Sequence, residues 1–348
     1  MTGVRIVATL IVSISLTLFS TITTLASSPP TMVIMDTALD ISIPEIKNNL
    51  VHEVCLLEWN ACPNGREFME GPGSSTLPAN LLRSSGFNHG TQMASIAIRT
   101  YPDVRIIFIR IIANSNSGGR LTTSDRTVYQ SLEWVLSNRE KYNIVSVGLS
   151  QSHHRLLNYS QYCPISYKTN EVVKKLFNAG VALFVASGNN NDKSRVSWPG
   201  CIPEAIAVSA VTNNSISRYS NFDMNLSEYA AIGELRVLDV GGNLTNASGT
   251  SVSAQVMAAL WAQVRTEYQE FNFTDTAKFF QDIAKPIKVG ENSLGWIDAK
   301  VVNETILRKN LQLAGIDLDS IPKPVCPQSI VGKKSSILIQ SMSGLCKL

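Results

Sequence analysis

Short apolar runs rich in β-branched residues recur along the chain at Met32–Met35, Val104–Ile112, Ile144–Leu149, Val181–Ala186 and Ala205–Val211. They are apolar at consecutive rather than alternate positions, which predicts strands covered on both faces. Between several of them lie longer segments, Ser124–Lys141 and Thr169–Ala179, whose apolar residues return at the spacing of an amphipathic helix. Strands alternating with helices predict an α/β protein with a mostly parallel central sheet and helices on both faces. Crossovers in such sheets are right-handed and their sites lie at the carboxyl ends of strands, so the chemistry is expected just after the apolar runs. The stretch Cys55–Phe87, rich in Gly, Pro, Ser and Asn, reads as surface loops, and Pro322–Leu348 reads as an appendage. There is no internal repeat, heptad run or low-complexity tract.

Composition supports a folded chain and removes some functions. Of 348 residues, 44% are hydrophobic and 16% charged, which is too apolar for a disordered chain. A balance of 30 basic against 27 acidic residues offers no electrostatic footprint for nucleic acid. Nothing in the pattern sets an oligomeric state.

The N-terminal segment stands outside the fold pattern. Arg5, the apolar and hydroxyl-bearing run Ile6–Phe19, and small residues at Thr24 and Ala26 make a secretory signal over residues 1–27. The alternative is an uncleaved anchor helix, since the run can be extended to the length of a membrane span. With cleavage, no membrane association is expected, and the mature chain belongs outside the cytoplasm. Six cysteines fit that compartment, being even in number and free of closely spaced CxxC pairs. Six permit 15 connectivities. The set closing the most compact loops pairs Cys55 with Cys62, Cys163 with Cys201, and Cys326 with Cys346. Asn-x-Ser/Thr sequons occur at Asn158, Asn225, Asn243 and Asn272, among others.

Four short strings carry candidate chemistry. In VIMDTALD, Asp36 follows an apolar run, where a carboxylate can orient an imidazole, bind a metal or cap a turn. In NHGTQMASI, His89 opens a segment of helical spacing, a position suited to a general base or to a plain cap. His52, His153 and His154 lack such a context and read as surface residues. In VALFVASGNN, Asn189 follows a strand-like run as a turn residue or as an amide donor to an oxyanion. In ASGTSVSAQVMA, Ser251 sits at the start of an apolar helix reached through glycine. It serves there as an N-cap or as a nucleophile whose neighbouring N–H groups favour developing negative charge.

Taken together and in this order, the four strings closely resemble the Asp, His, Asn and Ser motifs of the subtilisin-like serine proteases (subtilases). SWPGCIPEAIAVSAVTNNSISRYSNF is similar to a further family segment, so the resemblance spans roughly Met32–Val302. It implies a three-layer subtilisin-like fold and a serine endopeptidase acting on polypeptides. Ser251 would be the nucleophile, His89 the general base and then acid, Asp36 the partner of the imidazole, and Asn189 the oxyanion donor. It also implies substrate backbone adding as a strand beside Gly148, Leu149 and Ser150 and beside Ala186, Ser187 and Gly188. A peptide-binding relative without activity, or an esterase or transacylase using the same triad, are the rival functions. No cofactor is expected and no metal ligand is assigned; a structural calcium stays open, with no site for it legible in the sequence.

The chain departs from the family pattern at several points. Ala38 stands where a glycine usually follows Asp-Thr, and Ser253 and Gln255 stand where the family usually has Ala and Pro after the serine. Gly148-Leu149-Ser150 replaces the usual Ser-Leu-Gly. Secreted relatives often carry a propeptide between signal and catalytic domain, for which no room is expected before the strand bearing Asp36. The expected organisation is a signal over 1–27, a peptidase domain over 28–310 and a C-terminal extension over 311–348.

Overall fold

A computed structural model describes residues 28–83, 86–114, 119, 123–151, 156–157, 163, 167–289 and 291–316. The signal, the Cys326–Cys346 pair, Asn158, His153, His154 and most of the C-terminal extension lie outside these residues.

The strands are β1 (Thr31–Asp36), β2 (Leu50–Leu56), β3 (Phe68–Glu70), β4 (Arg105–Arg110), β5 (Ile144–Leu149), β6 (Leu156–Leu157), β7 (Ala182–Ala186), β8 (Val196–Ser197), β9 (Ile206–Thr212), β10 (Ser215–Ile216), β11 (Ser227–Ile232), β12 (Glu234–Leu238), β13 (Leu244–Ser248), β14 (Lys285–Val289) and β15 (Asn292–Ile297). The helices are α1 (Pro44–Asn49), α2 (Ala79–Leu82), α3 (His89–Thr100), α4 (Asp125–Tyr142), α5 (Tyr167–Asn178), α6 (Thr250–Glu267), α7 (Phe273–Ile283) and α8 (Ala299–Leu313).

The main sheet runs β14-β15-β11-β9-β7-β5-β1-β4-β2-β3, with β10 paired to β9. From β15 to β2 all neighbours are parallel, and antiparallel pairing is confined to β14, β3 and β10. Alternating residues of each central strand feed two cores. Met32 and Ile34 of β1 pack toward α3, α6, α7 and α8, while Val33 and Met35 pack toward α4 and α5. This is the two-faced sheet expected from consecutive apolar positions. Helix α6 is buried at 13 of its 18 residues, the mark of a helix enclosed on nearly all sides.

The five apolar runs coincide with β1, β4, β5, β7 and β9 to within a residue or two, and the two amphipathic segments with α4 and α5. Ser124 caps α4 by accepting from Thr127 N at 3.0 Å.

The stretch Cys55–Phe87 is more ordered than loops alone. Cys55 and Leu56 complete β2, β3 and α2 lie within it, and Cys55 is bonded to Cys62. Buried Glu53 gathers the glycine-rich turn, accepting from Gly73 N at 2.9 Å and from Ser75 Oγ at 2.7 Å. His52 is likewise no plain surface residue. Its ring lies against Trp134 and Tyr142, and Nε2 is 2.7 Å from Glu70. Helix α8 packs Val302 and Ile306 into the core and continues through position 310 to Leu313.

Candidate active site

β1 carries Asp36 to the carboxyl edge of the sheet at the place where strand order reverses, with β4 on one side and β5 on the other. Open α/β sheets form their binding crevices at such switch points. The carboxylate is fully buried, and Oδ1 accepts from Thr37 N at 2.7 Å. The Thr37 hydroxyl accepts from Gly90 N at 2.9 Å and donates to Phe87 O at 3.0 Å, which fixes the start of α3 against the end of β1. Gly90 allows that approach. A Cβ there would collide with the main-chain oxygen of Ala38 and lie 2.7 Å from the Phe108 ring, so the start of α3 can sit this close to the backbone after β1 only with glycine at position 90.

His89, the first residue of α3, places Nδ1 2.8 Å from Asp36 Oδ1. With Nδ1–H donated to the carboxylate, the lone pair of the neutral ring resides on Nε2, the arrangement a general base requires. A third side chain joins this pair. Gln151 Nε2 lies 3.1 Å from Asp36 Oδ1 and 3.1 Å from His89 Nδ1, and its hydrogen is donated to the carboxylate. Sequence reasoning misses Gln151, because it sits in an unpatterned polar segment and meets Asp36 only through the β1–β5 pairing. Arg110, which ends β4 in register with Asp36, is also buried, and desolvation lowers its guanidinium pKa to about 10.

The hairpin β12–β13 leads through Gly249 into α6. Gly249 has φ 136°, a conformation that favours glycine, and Ser251 is the second residue of the helix. The Ser251 N–H therefore belongs to the first turn, where no helical carbonyl precedes it as an acceptor. Its hydroxyl donates to Ser150 O at 3.3 Å rather than to His89.

Asn189 follows β7 and is exposed. Its Oδ1 accepts from Thr250 N at 2.9 Å and from Thr250 Oγ1 at 3.0 Å. The amide is thereby turned with its NH₂ as the open donor, next to the first turn of α6. Asp36, His89, Ser251 and Asn189 thus stand along one edge of the sheet, on β1, α3, α6 and the β7 exit.

The segments expected to flank substrate behave differently. Gly148 and Leu149 are paired on both sides, to Ile34 and Met35 of β1 and to Phe184 and Val185 of β7. Ser187 N donates to Val208 O, Ser187 O accepts from Ser197 N, Gly188 N donates to Thr250 Oγ1, and Gly188 O accepts from Asn221 N. Ala186 pairs with Val208 of β9. The backbone of Ala186–Gly188 is committed to the fold and has no free edge for a substrate strand. Of the six residues expected to flank substrate, only Ser150 lies past the end of the paired strand. Among the described residues, no cluster of three or more His, Cys, Asp or Glu side chains is arranged to hold a metal, and no helix is long and apolar enough to cross a membrane.

A parallel α/β sheet with this strand order and these four residues on its carboxyl edge defines a subtilisin-like protein. The chain belongs to the subtilase family, whose family model matches residues 30–296. It is 28% identical over 187 residues to a cuticle-degrading serine protease of Arthrobotrys oligospora, covering 51% of this chain and 42% of that protein. It is 25% identical over 233 residues to a subtilisin-like protease of Coccidioides posadasii, covering 67% of this chain and 51% of that protein. The chain thus spans about half or less of the length of these curated relatives. Among solved structures, a mutant of the protease domain of PatA is similar with TM-score 0.61 at 16% identity, covering 82% of this chain and 98% of that one. A cold-adapted subtilisin-like serine proteinase gives TM-score 0.55 at 19% identity, covering 77% and 88%. These structural likenesses concern the fold.

Proposed function

We propose that the protein is a secreted serine endopeptidase that hydrolyses polypeptides through an acyl-enzyme. The observation that carries this reading is the 2.8 Å bond between Asp36 and His89 at the switch point, on the same sheet edge as the α6 N-terminus bearing Ser251.

In this reading Ser251 Oγ attacks the scissile carbonyl while His89 Nε2 takes its proton, and buried Asp36 stabilises the imidazolium that forms. The carbonyl oxygen becomes an oxyanion and accepts from Asn189 Nδ2 and Ser251 N–H. His89 then protonates the leaving amine, which departs and leaves the acyl-enzyme. A water, deprotonated by His89, attacks the ester and restores the Ser251 hydroxyl. No metal or cofactor takes part. Substrate main chain is read at and beyond Ser150, with Ala186–Gly188 as a buried wall. Secretion follows from the N-terminal signal and agrees with the two disulfides, Cys55–Cys62 and Cys163–Cys201.

The test treats the purified mature protein and its Ser251→Ala variant with a fluorophosphonate and assays casein hydrolysis alongside. Labelling and hydrolysis by the parent only are expected. An unlabelled parent would leave a peptide-binding protein without catalysis, and labelling without proteolysis would make the protein an esterase or transacylase.

A further inference from the structure

Three of the positions at which this chain departs from the family pattern are in contact with one another. Gly148 and Ser150 lie at the end of β5, and Gln255 lies on α6 more than 100 residues later. Gln255 is wholly buried, and its carboxamide occupies the space over Gly148. A Cβ on Gly148 would collide with Gln255 Oε1 and stand 2.7 Å from Cδ and 2.8 Å from Nε2. Gln255 Nε2 donates to Ser150 Oγ at 2.7 Å, and Ser150 Oγ donates onward to the main-chain oxygen of Ser251 at 3.2 Å. The Ser251 hydroxyl returns a bond to the main-chain oxygen of Ser150 at 3.3 Å.

Gln255 is four residues after Ser251, so the two share one face of α6. The amide therefore sits directly behind the nucleophile on its own helix and reaches the strand end through one hydroxyl. Its Oε1 is buried without a hydrogen-bond partner among the described residues. An apolar side chain of the same size would avoid that desolvation cost but give up the bond to Ser150 Oγ, so what glutamine adds here is that donor. A glutamine on α6, a glycine that leaves room for it and a serine that receives its hydrogen form one coupled unit.

We infer that Gln255 and Ser150 are positioning residues for Ser251, with Gly148 as the vacancy that admits the amide. The inference rests on reading Ser251 as the nucleophile. Gln255 orients the Ser150 hydroxyl, and the reciprocal pair of bonds between Ser150 and Ser251 sets the serine relative to the β5 exit, where substrate main chain begins to be read. No proton is transferred through Gln255.

The experiment measures the second-order rate of fluorophosphonate acylation, kcat, KM and the thermal midpoint for the parent, Gln255→Met, Ser150→Ala, Ser150→Thr, Gly148→Ser and the double variant Gly148→Ser/Gln255→Ala. Gln255→Met fills the same space without a donor. It and Ser150→Ala are expected to slow acylation and kcat about tenfold at little changed KM, since small misplacements of a reacting group cost one to two orders of magnitude. The thermal midpoint of Gln255→Met should not fall. Ser150→Thr keeps a hydroxyl and should stay within a few-fold of the parent.

Gly148→Ser should lose at least about a hundredfold, and the added Gln255→Ala should restore most of that loss, as contacting residues couple strongly. A labelled parent whose Gln255→Met variant acylates at the parental rate, or a Gly148→Ser loss left unrelieved by Gln255→Ala, overturns the inference. A parent that does not label overturns the hydrolase reading and the positioning role with it. In that case coupling between Gly148 and Gln255 in the thermal midpoint would identify the contact as packing alone.

Discussion

Asn189 is held by Thr250 through two hydrogen bonds to a single oxygen, from the backbone N–H at 2.9 Å and the hydroxyl at 3.0 Å. An amide anchored by its oxygen has only one orientation, with the NH₂ outward. Asn189→Leu is expected to lower kcat by about 10² to 10³ with a small change in KM, the range known for the equivalent donor in subtilisin itself. Thr250→Val removes the side-chain anchor and the acceptor for Gly188 N, and should cost about tenfold. Steady-state kinetics on a peptide anilide checks both. A Thr250→Val loss as large as that of Asn189→Leu would mean that the threonine does more than orient the amide.

Gly249 joins the hairpin to α6 at φ 136°, with Asn189 Nδ2 3.2 Å from where a Cβ would stand. Gly249→Ala therefore strains the backbone and presses on the Asn189 amide, the proposed oxyanion donor, together. Strain of this kind costs about 1–3 kcal/mol. Denaturant unfolding should show a loss of that size, and kcat should fall well beyond what the stability change explains. A variant with parental kcat would show that the contact relaxes without moving the amide.

Asp40 ties the loop after β1 to the β12–β13 hairpin, accepting from Ser42 Oγ at 2.6 Å and Gly241 N at 2.8 Å. Burial pushes its pKa up, but the bonds from Ser42 and Gly241 and the charge of Arg83 outweigh it and hold the carboxyl below its usual value. A carboxyl with a depressed folded pKa contributes stability above its unfolded pKa and loses it as pH falls through the folded value. Stability should therefore drop below about pH 4, and Asp40→Asn should flatten that part of the profile. Equal slopes for parent and variant in urea unfolding between about pH 5 and 2.5 would refute the assignment.

The two disulfides among the described residues close loops of unequal size, with sequence separations of 7 and 38. Loop-closure entropy gives about 2 kcal/mol for Cys55–Cys62 and about 4 kcal/mol for Cys163–Cys201. Paired Cys→Ser variants should unfold in that order of loss. Cys55 pairs with Arg110, which pairs in turn with Asp36, so the disulfide lies two strands from the proposed triad and its removal should lower stability more than kcat, which casein or peptide hydrolysis reports.

What the sequence reveals follows the range of the forces involved. β5 is legible to the residue because burial on both faces makes Ile144–Leu149 continuously apolar. The strand β2 is hidden because its residues include His52, whose ring stacks beneath Trp134, and Glu53, whose carboxylate organises the turn at 71–75. The residues Asp36, His89, Asn189 and Ser251 are legible because each sits in a local string of turn and helix-start residues. Gln151, and the internal pairing of Gly148, Leu149 and Ala186–Gly188, depend on which strands become neighbours. That information is absent from any one window of the chain. The link between Gln255 and Gly148 is visible in sequence only as separate departures from a pattern, and contact makes them a single change.

Ser251 stands on the helix most deeply enclosed in the molecule, and the group it must meet is anchored to the first strand of the sheet. Helix α6 packs across β5, β7, β9 and β11, on the other side of β5 from β1 in the strand order. In the proposed reading the Asp36–His89 pair on β1 and α3 is therefore completed only by a segment more than 100 residues further along the chain.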